Sequence, residues 1–244
     1  MKQRISIIDE ARGFSLIFVT LYHLIYSMYM IYGYKSLKGV FYVATWWEPC
    51  IAGAFILISG ISFQLSRNNV KRGLRLFAVA VLISVVVWIF IPEQMIWFGI
   101  IHFLAVSNIV LGLLKKYLDK IPFAPLTAVS SVLFLLTYNV QRGYLGIKGL
   151  WSFALPKWFY VTDLTMPFGF YTPGFHSSDY FPFLPWIFLF VIGTALGRYA
   201  EKLPESLAKP HIPALAFIGR HTLIIYLLHQ PVIIGALELI RLLS

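Results

Sequence analysis

Charge is scarce in this chain: only 12% of its 244 residues are Asp, Glu, Lys or Arg, and a soluble domain carries roughly twice that share. So few charges cannot cover a water-facing surface, which excludes a soluble globular domain for most of the length. Cysteine is nearly absent too. Cys50 stands alone, so no intrachain disulfide can form and the redox compartment leaves no mark. No internal repeat or low-complexity tract is present, which weighs against transporter folds built from duplicated halves. Acidic residues number 10 against 20 basic ones, for a net charge of +10. The basic residues sit in small clusters between apolar runs and form neither patch nor stripe, which argues against a nucleic-acid partner.

Apolar residues fill the chain instead: 59% are hydrophobic and 17% aromatic, with a mean hydropathy of +0.78. A helix needs about 20 mostly apolar residues to cross roughly 30 Å of hydrocarbon. Runs at 13–31, 41–62, 76–91, 96–114, 122–138, 183–199 and 222–239 read as spans. The expected fold is all-α, a polytopic membrane protein of about seven transmembrane helices, with residues 1–244 forming one domain. The first run is too long for a signal-peptide core and lacks a small-residue cleavage site, so it reads as a retained span.

The linkers divide by charge. Lys2, Arg4 and Arg12 fall on one side with Arg67, Lys71, Arg72 and Arg75, with Lys115, Lys116 and Lys120, and with Arg198, Lys202, Lys209 and Arg220. The other side holds only Lys35, Lys38, Arg142, Lys148, Lys157 and Arg241. Basic residues in short loops stay cytoplasmic, so the N-terminus is expected inside and the C-terminus outside. The long segment 139–180 then lies outside, rich in aromatics, Gly and Pro. Its rings either anchor the protein among lipid headgroups or form a platform for a sugar or lipid headgroup. Segment 203–220, with Pro204, Pro210 and Pro213, reads as a cytoplasmic loop and short interfacial helix.

Ionisable groups at membrane depth are costly, which makes them functional candidates. His23, His102 and His229 all fall inside predicted spans. Arg12 and His23 are eleven residues apart, about three helical turns, so they share a helix face with His23 about 16 Å deeper. Arg12 can grip a phosphate at the mouth of the span while His23 serves as a base below it. The competing structural reading pairs Arg12 with Asp9 and makes His23 an interhelical hydrogen-bond partner. The last span repeats the pattern, with Arg220 and His221 at the rim and His229 about 12 Å deeper. Gln230 and Pro231 follow and are expected to open that helix locally. Three histidines can hold a metal, but no HExxH spacing and no buried carboxylate accompanies them, so none is expected. On the outer side, Glu48 precedes Pro49 at the mouth of the second span, and His176 and Asp179 lie before the sixth. These read either as groups that position or deprotonate an acceptor or as solvated loop residues.

The opening Ile8-Asp9-Glu10-Ala11-Arg12-Gly13-Phe14, running on to Tyr22-His23, resembles the first span of the transmembrane acyltransferases. In the acyltransferase-3 branch an Arg, ten residues and a His make the signature, which Arg12 and His23 match. Residues 55–63 (FILISGISF), 179–186 (DYFPFLPW) and 219–231 (GRHTLIIYLLHQP) are similar to the branch of heparan-α-glucosaminide N-acetyltransferase and its small bacterial relatives. In the lysosomal enzyme's branch, Asn occupies the position of His23 and a histidine follows in the next loop. Here no histidine lies between His23 and the second span.

The resemblance implies transfer of an acetyl or other acyl group from cytoplasmic acetyl-CoA or acyl-CoA to an acceptor outside. It also implies a compact bacterial form in the plasma (inner) membrane, without the animal enzyme's extra spans and lumenal domain. Arg12, Asp9, Arg220 and His221 would hold the donor. His23, His229, Glu48 and Asp179 are the candidate catalytic groups, and His176 and His102 are candidates to contact substrate. His23 is general base or acyl-carrying nucleophile. The implied partners are acyl-CoA, membrane lipid and a glycan, lipid or small-molecule acceptor. Small residues in the spans leave a homo-oligomer open. A small-solute or proton-coupled transporter, with the histidines as relay, and a non-enzymatic membrane subunit are the competing readings.

Overall fold

The computed structural model describes residues 5–243. Most of the length of the apolar runs is helical. The helices are α1 (Ser6–Tyr26), α2 (Lys38–Leu65), α3 (Asn69–Phe90), α4 (Ile100–Leu118), α5 (Phe123–Thr137), α6 (Phe183–Gly197), α7 (Pro213–Arg220) and α8 (Thr222–Leu243). Among the described residues, six helical stretches are long and apolar enough to cross a membrane: Ser6–Ile31, Lys35–Leu65, Asn69–Phe90, Ile100–Leu118, Phe123–Arg142 and Thr222–Leu243.

Two features depart from the expected all-α bundle of seven spans. The run at 183–199 forms only the 15-residue α6, about 22 Å long, and Leu184 within it has extended backbone (φ −94°, ψ 132°). Pro182 and Pro185 flank that extended residue, and the helix stops at Gly197, so its regular part is shorter than its apolar sequence. The second departure is a hairpin in the long loop, β1 (Tyr144–Ile147) paired antiparallel with β2 (Trp151–Ala154).

The chain forms two compact units. One comprises Met1–Ile58 and Ala200–Ser244, the other Ser59–Tyr199, and α2 contributes to both. The basic residues Lys2 and Arg4 lie outside the described residues.

In the terminal unit α1 packs on α7 backbone to backbone. A Cβ on Gly13 would lie 2.2 Å from the Leu215 carbonyl oxygen, and one on Gly219 would lie 1.7 Å from that of Asp9. Glycine is required at both places because no side chain fits between these helices. The short α7 starts on Pro213, whose missing N–H costs nothing in a first turn. Buried Glu10 accepts a hydrogen bond from the His211 N–H at 2.6 Å, which ties the entry to α7 back to α1. Segment 203–220 thus forms a turn and short helix, as its prolines suggest.

In the central unit α3 and α4 approach closely through Gly73, which sits against Ala105 and Ile109, and Gly112, which sits against Asn69 and Val70. Asn68 caps α3 by accepting from the Lys71 N–H at 2.8 Å. Phe190 is fully buried between Phe63 and Phe103 in edge-on contacts. At the basic end, Lys115 donates to Gln64 and to Asp119 (2.7 Å), and Gln64 donates to Asp119 (2.9 Å). Arg198 caps α4 and the following turn through the carbonyls of Leu118 and Ile121. At the other end, Phe98 and Tyr180 form a parallel bridge between the entries to α4 and α6.

Candidate functional site

The terminal unit brings His23 and His229 together. His23 is the fourth residue from the end of α1, and His229 is the eighth residue of α8. Their ring centres are 4.8 Å apart at an interplanar angle of 56°. One turn further on, just past the end of α1, Ser27 follows on the face of His23, because residues four apart overlap on a helix. Ser27 is fully buried and accepts a hydrogen bond from the Gln230 amide at 3.1 Å. Adjacent residues of α8 therefore meet adjacent turns of α1: His229 with His23, Gln230 with Ser27.

The hydrogen bonding of this group is incomplete in a specific way. His229 Nδ1 bonds the Tyr226 carbonyl, which can only accept, so the proton is on Nδ1 and a neutral ring keeps its lone pair at Nε2. That Nε2 is buried and has no partner, and the same is true of Gln230 Oε1. Buried polar atoms are paired in the great majority of cases; here two exceptions fall on adjacent residues, and Trp47, Asn69, Ser107, Asn108 and Arg198 carry further ones among the described residues. The two atoms on His229 and Gln230 are acceptors, suited to an N–H or O–H donor.

Immediately after His23 and Tyr26 the helix widens to a π turn over Ser27–Ile31. Such widenings recur at functional sites. Tyr32 follows it and its hydroxyl donates to Glu238 on α8 at 2.8 Å, a second tie between the two helices. Contrary to the sequence expectation, α8 runs unbroken through Pro231. A proline removes one helix hydrogen bond, but in hydrocarbon the helix remains the only way to pair the rest.

At the start of α1, Arg12 makes an ion pair of 2.8 Å with Asp9, the arrangement of the structural reading. Asp9 is buried and Arg12 partly so. Gly219 lies against the Asp9 backbone, and Arg220 and His221, both exposed, follow it directly in the chain. His221 Nδ1 bonds the Phe217 carbonyl at 2.9 Å and its ring lies 4.4 Å from that of Phe217. The α1–α7 contact thus sets the segment that carries Asp9 and Arg12 against the one that carries Arg220 and His221.

Glu48 lies ten residues inside α2, followed by Pro49 within the same helix, and not at a helix mouth. The remaining candidates belong to the central unit. His102 is buried on α4, stacked on Phe98 at 5.8 Å with Phe77 edge-on at 6.3 Å. Asp179 accepts the Ile100 N–H at 3.1 Å and so caps the start of α4. A Cβ on Gly99 would strike that carboxylate at 2.2 Å, so glycine makes the cap possible. His176 is exposed in the loop before it. Among the described residues, no three His, Cys, Asp or Glu side chains are grouped as a metal would require.

Ser27 is the residue the sequence reading missed. Its spacing of four from His23 was visible, but serine is common enough in spans to carry no signal alone.

Comparison with known families gives one result. The family model described as heparan-alpha-glucosaminide N-acetyltransferase, catalytic, matches residues 4–231. No curated protein and no solved structure gives a significant match.

Proposed function

We propose, from the premise that the chain belongs to the heparan-α-glucosaminide N-acetyltransferase catalytic family, that it transfers an acyl group from acyl-CoA to an acceptor across the membrane. The donor is acetyl-CoA or a related thioester on the cytoplasmic side. The acceptor is an amine or hydroxyl of a sugar or other envelope component on the far side. The charge asymmetry of the linkers supports this orientation, with the rim of Asp9, Arg12, Arg220 and His221 inside. A bacterial inner membrane is the setting that the resemblance of the whole chain favours, with the two units working as one transmembrane acyltransferase domain.

The observation that carries the reading is the bare, buried Nε2 of His229 beside His23. The acceptor's N or O attacks the thioester carbonyl carbon, and its proton passes to the imidazole pair as the new bond forms. The C–S bond then breaks, and the thiolate of CoA takes that proton back from the imidazolium. No net charge is added to the apolar interior, since the imidazolium is balanced first by the tetrahedral oxyanion and then by the thiolate, to which the proton returns. Gln230 Oε1 accepts a second hydrogen from the incoming group and orients it. The rim cations hold the phosphates of the donor about 16 Å away along α1, a distance that an extended pantetheine arm can span.

Thermal unfolding of the detergent-solubilised protein with acetyl-CoA and with free CoA tests the reading. A ligand at 100 times its Kd stabilises by about 2.7 kcal/mol, which is easily read. Both ligands are expected to stabilise the wild type and His23→Ala. Arg220→Ala should lose much of the effect, and Arg12→Ala more, though the latter also strips buried Asp9 of an ion-pair partner. Absence of any stabilisation by either ligand would remove the donor from the proposal.

A further inference from the structure

The hairpin in the long loop is built against the end of a spanning helix. Its first strand packs on α5, and the Asn139 side chain at the end of that helix donates to the Gly146 carbonyl at 2.9 Å. Leu155 N–H bonds the Gly143 carbonyl at 2.8 Å and closes the base of the hairpin. The turn between the strands uses Gly149 at φ +93°, where a side chain would be strained. These ties hold the hairpin within a few residues of the apolar end of α5, the end away from Lys116 and Lys120.

What the hairpin presents there is apolar. In the register Leu145↔Phe153 and Ile147↔Trp151, four large apolar side chains fall at paired positions. Ile147, Trp151 and Phe153 (66% accessible) are exposed, and Leu150 at the turn is 84% accessible. Further along the loop, Trp158 is also exposed and stacks on its neighbour Phe159 at 3.8 Å. Water-facing patches of this kind are rare on soluble surfaces. No Asp or Glu occurs from 139 to 162, and the charges are Arg142, Lys148 and Lys157. Exposed Trp and Leu flanked by Lys, at the end of a spanning helix, match the chemistry of the headgroup boundary. There, rings sit among the glycerol groups and lysine stems reach outward to phosphate.

We infer that the β1–β2 hairpin is a membrane-interface anchor that dips Leu150, Trp151 and Phe153 into the leaflet at the end of α5 away from Lys116 and Lys120. The occupant of its apolar surface is lipid, not a sugar and not a second copy of the chain. The inference stands apart from acyl transfer and survives its failure, since it rests on the hairpin and α5 alone.

The full chain carrying Leu150→Cys in a Cys50→Ser background, labelled with an environment-sensitive fluorophore and placed in phosphatidylcholine nanodiscs, tests it. Leu150 is a turn residue on the surface, so the substitution does not disturb the core. The emission is expected to shift to the blue, to resist iodide, and to be quenched by nitroxide-labelled phosphatidylcholine. The same result is expected for Phe153→Cys. A water-like emission quenched by iodide would overturn the anchor, leaving the surface free for a soluble ligand. Protection from both iodide and nitroxide lipid would also overturn it, because protein would then be covering the hairpin.

Discussion

The imidazole rings of His23 and His229 lie 4.8 Å apart, centre to centre, on the first and last spanning helices of the chain. His229 holds its Nδ1 proton on the Tyr226 carbonyl and leaves Nε2 bare. On the proposed reading, His229 Nε2 is the atom that takes the acceptor's proton and His23 is its neighbour in proton exchange. Replacing either with alanine should lower acyl transfer by roughly 10²- to 10⁴-fold, the usual contribution of a positioned acid–base group. CoA release from acetyl-CoA, followed with a thiol reagent, reads the rate. His229→Ala with unchanged turnover would remove it from the mechanism.

Gln230 and Ser27 separate a binding role from a structural one. Gln230→Leu removes an unpaired buried oxygen, which is neutral or favourable for stability, but it also takes the amide donor away from Ser27. Its melting temperature should therefore stay close to wild type while KM for the acceptor rises. Ser27→Ala leaves the Gln230 amide unpaired and should cost about 1–3 kcal/mol of stability. Thermal unfolding beside steady-state kinetics distinguishes the two. A Gln230→Leu variant with normal KM would show that its oxygen receives nothing from substrate.

Part of this site was legible in the sequence. Arg12 and His23 lie on one face because eleven residues make three turns, and that arithmetic holds on an unbroken α1. The meeting of His23 with His229 was not legible, since helical periodicity says which face a residue occupies and nothing about which helix lies opposite. The hairpin was hidden for another reason. Residues 144–154 are apolar or small at nearly every position, so the polar–apolar alternation that announces a strand is missing. The shortness of α6 was masked because residues 183–197 are apolar at nearly every position, a pattern that does not reveal the extended backbone of Leu184.

Gly219 should tolerate no side chain. A methyl group there would overlap the Asp9 carbonyl oxygen, and both partners are helix backbone that cannot turn aside. Gly219→Ala is expected to cost about 3 kcal/mol or more, the upper range for overpacking. On the proposed reading it should also blunt stabilisation by acetyl-CoA, because the α1–α7 contact joins the segments that carry Arg12, Arg220 and His221. Gly235→Ala, in open space on α8, is the control and should melt like the wild type.

The Gln64–Lys115–Asp119 group gives a pH dependence with a defined sign. Burial pushes the Asp119 carboxyl up, but hydrogen bonds from Lys115 and Gln64 and the charges of Lys115 and Arg198 outweigh it, so it titrates below the usual range. A carboxyl depressed in the folded state adds stability above its unfolded pKa of about 3.9 and loses it as pH falls through the folded value. The melting temperature of Asp119→Asn should therefore lie below wild type at neutral pH and converge with it in acid. A difference that is constant across this range would mean that the ion pair contributes nothing through titration.

Asp179 is where a catalytic and a capping role make opposite forecasts. Its carboxylate accepts the Ile100 N–H at 3.1 Å, in the position of a helix cap. Asn preserves an acceptor oxygen of the same shape and removes the charge. If the cap is the role, Asp179→Ala costs about 1 kcal/mol of stability and Asp179→Asn restores most of it, with turnover per folded molecule unchanged in both. If the carboxylate takes a proton from the acceptor, Asp179→Asn folds normally and turns over at least 100-fold more slowly. Melting curves and thiol release on the same two proteins decide between them. The bond to Ile100 favours the first outcome, since a carboxylate oxygen already given to a backbone N–H is a weaker base.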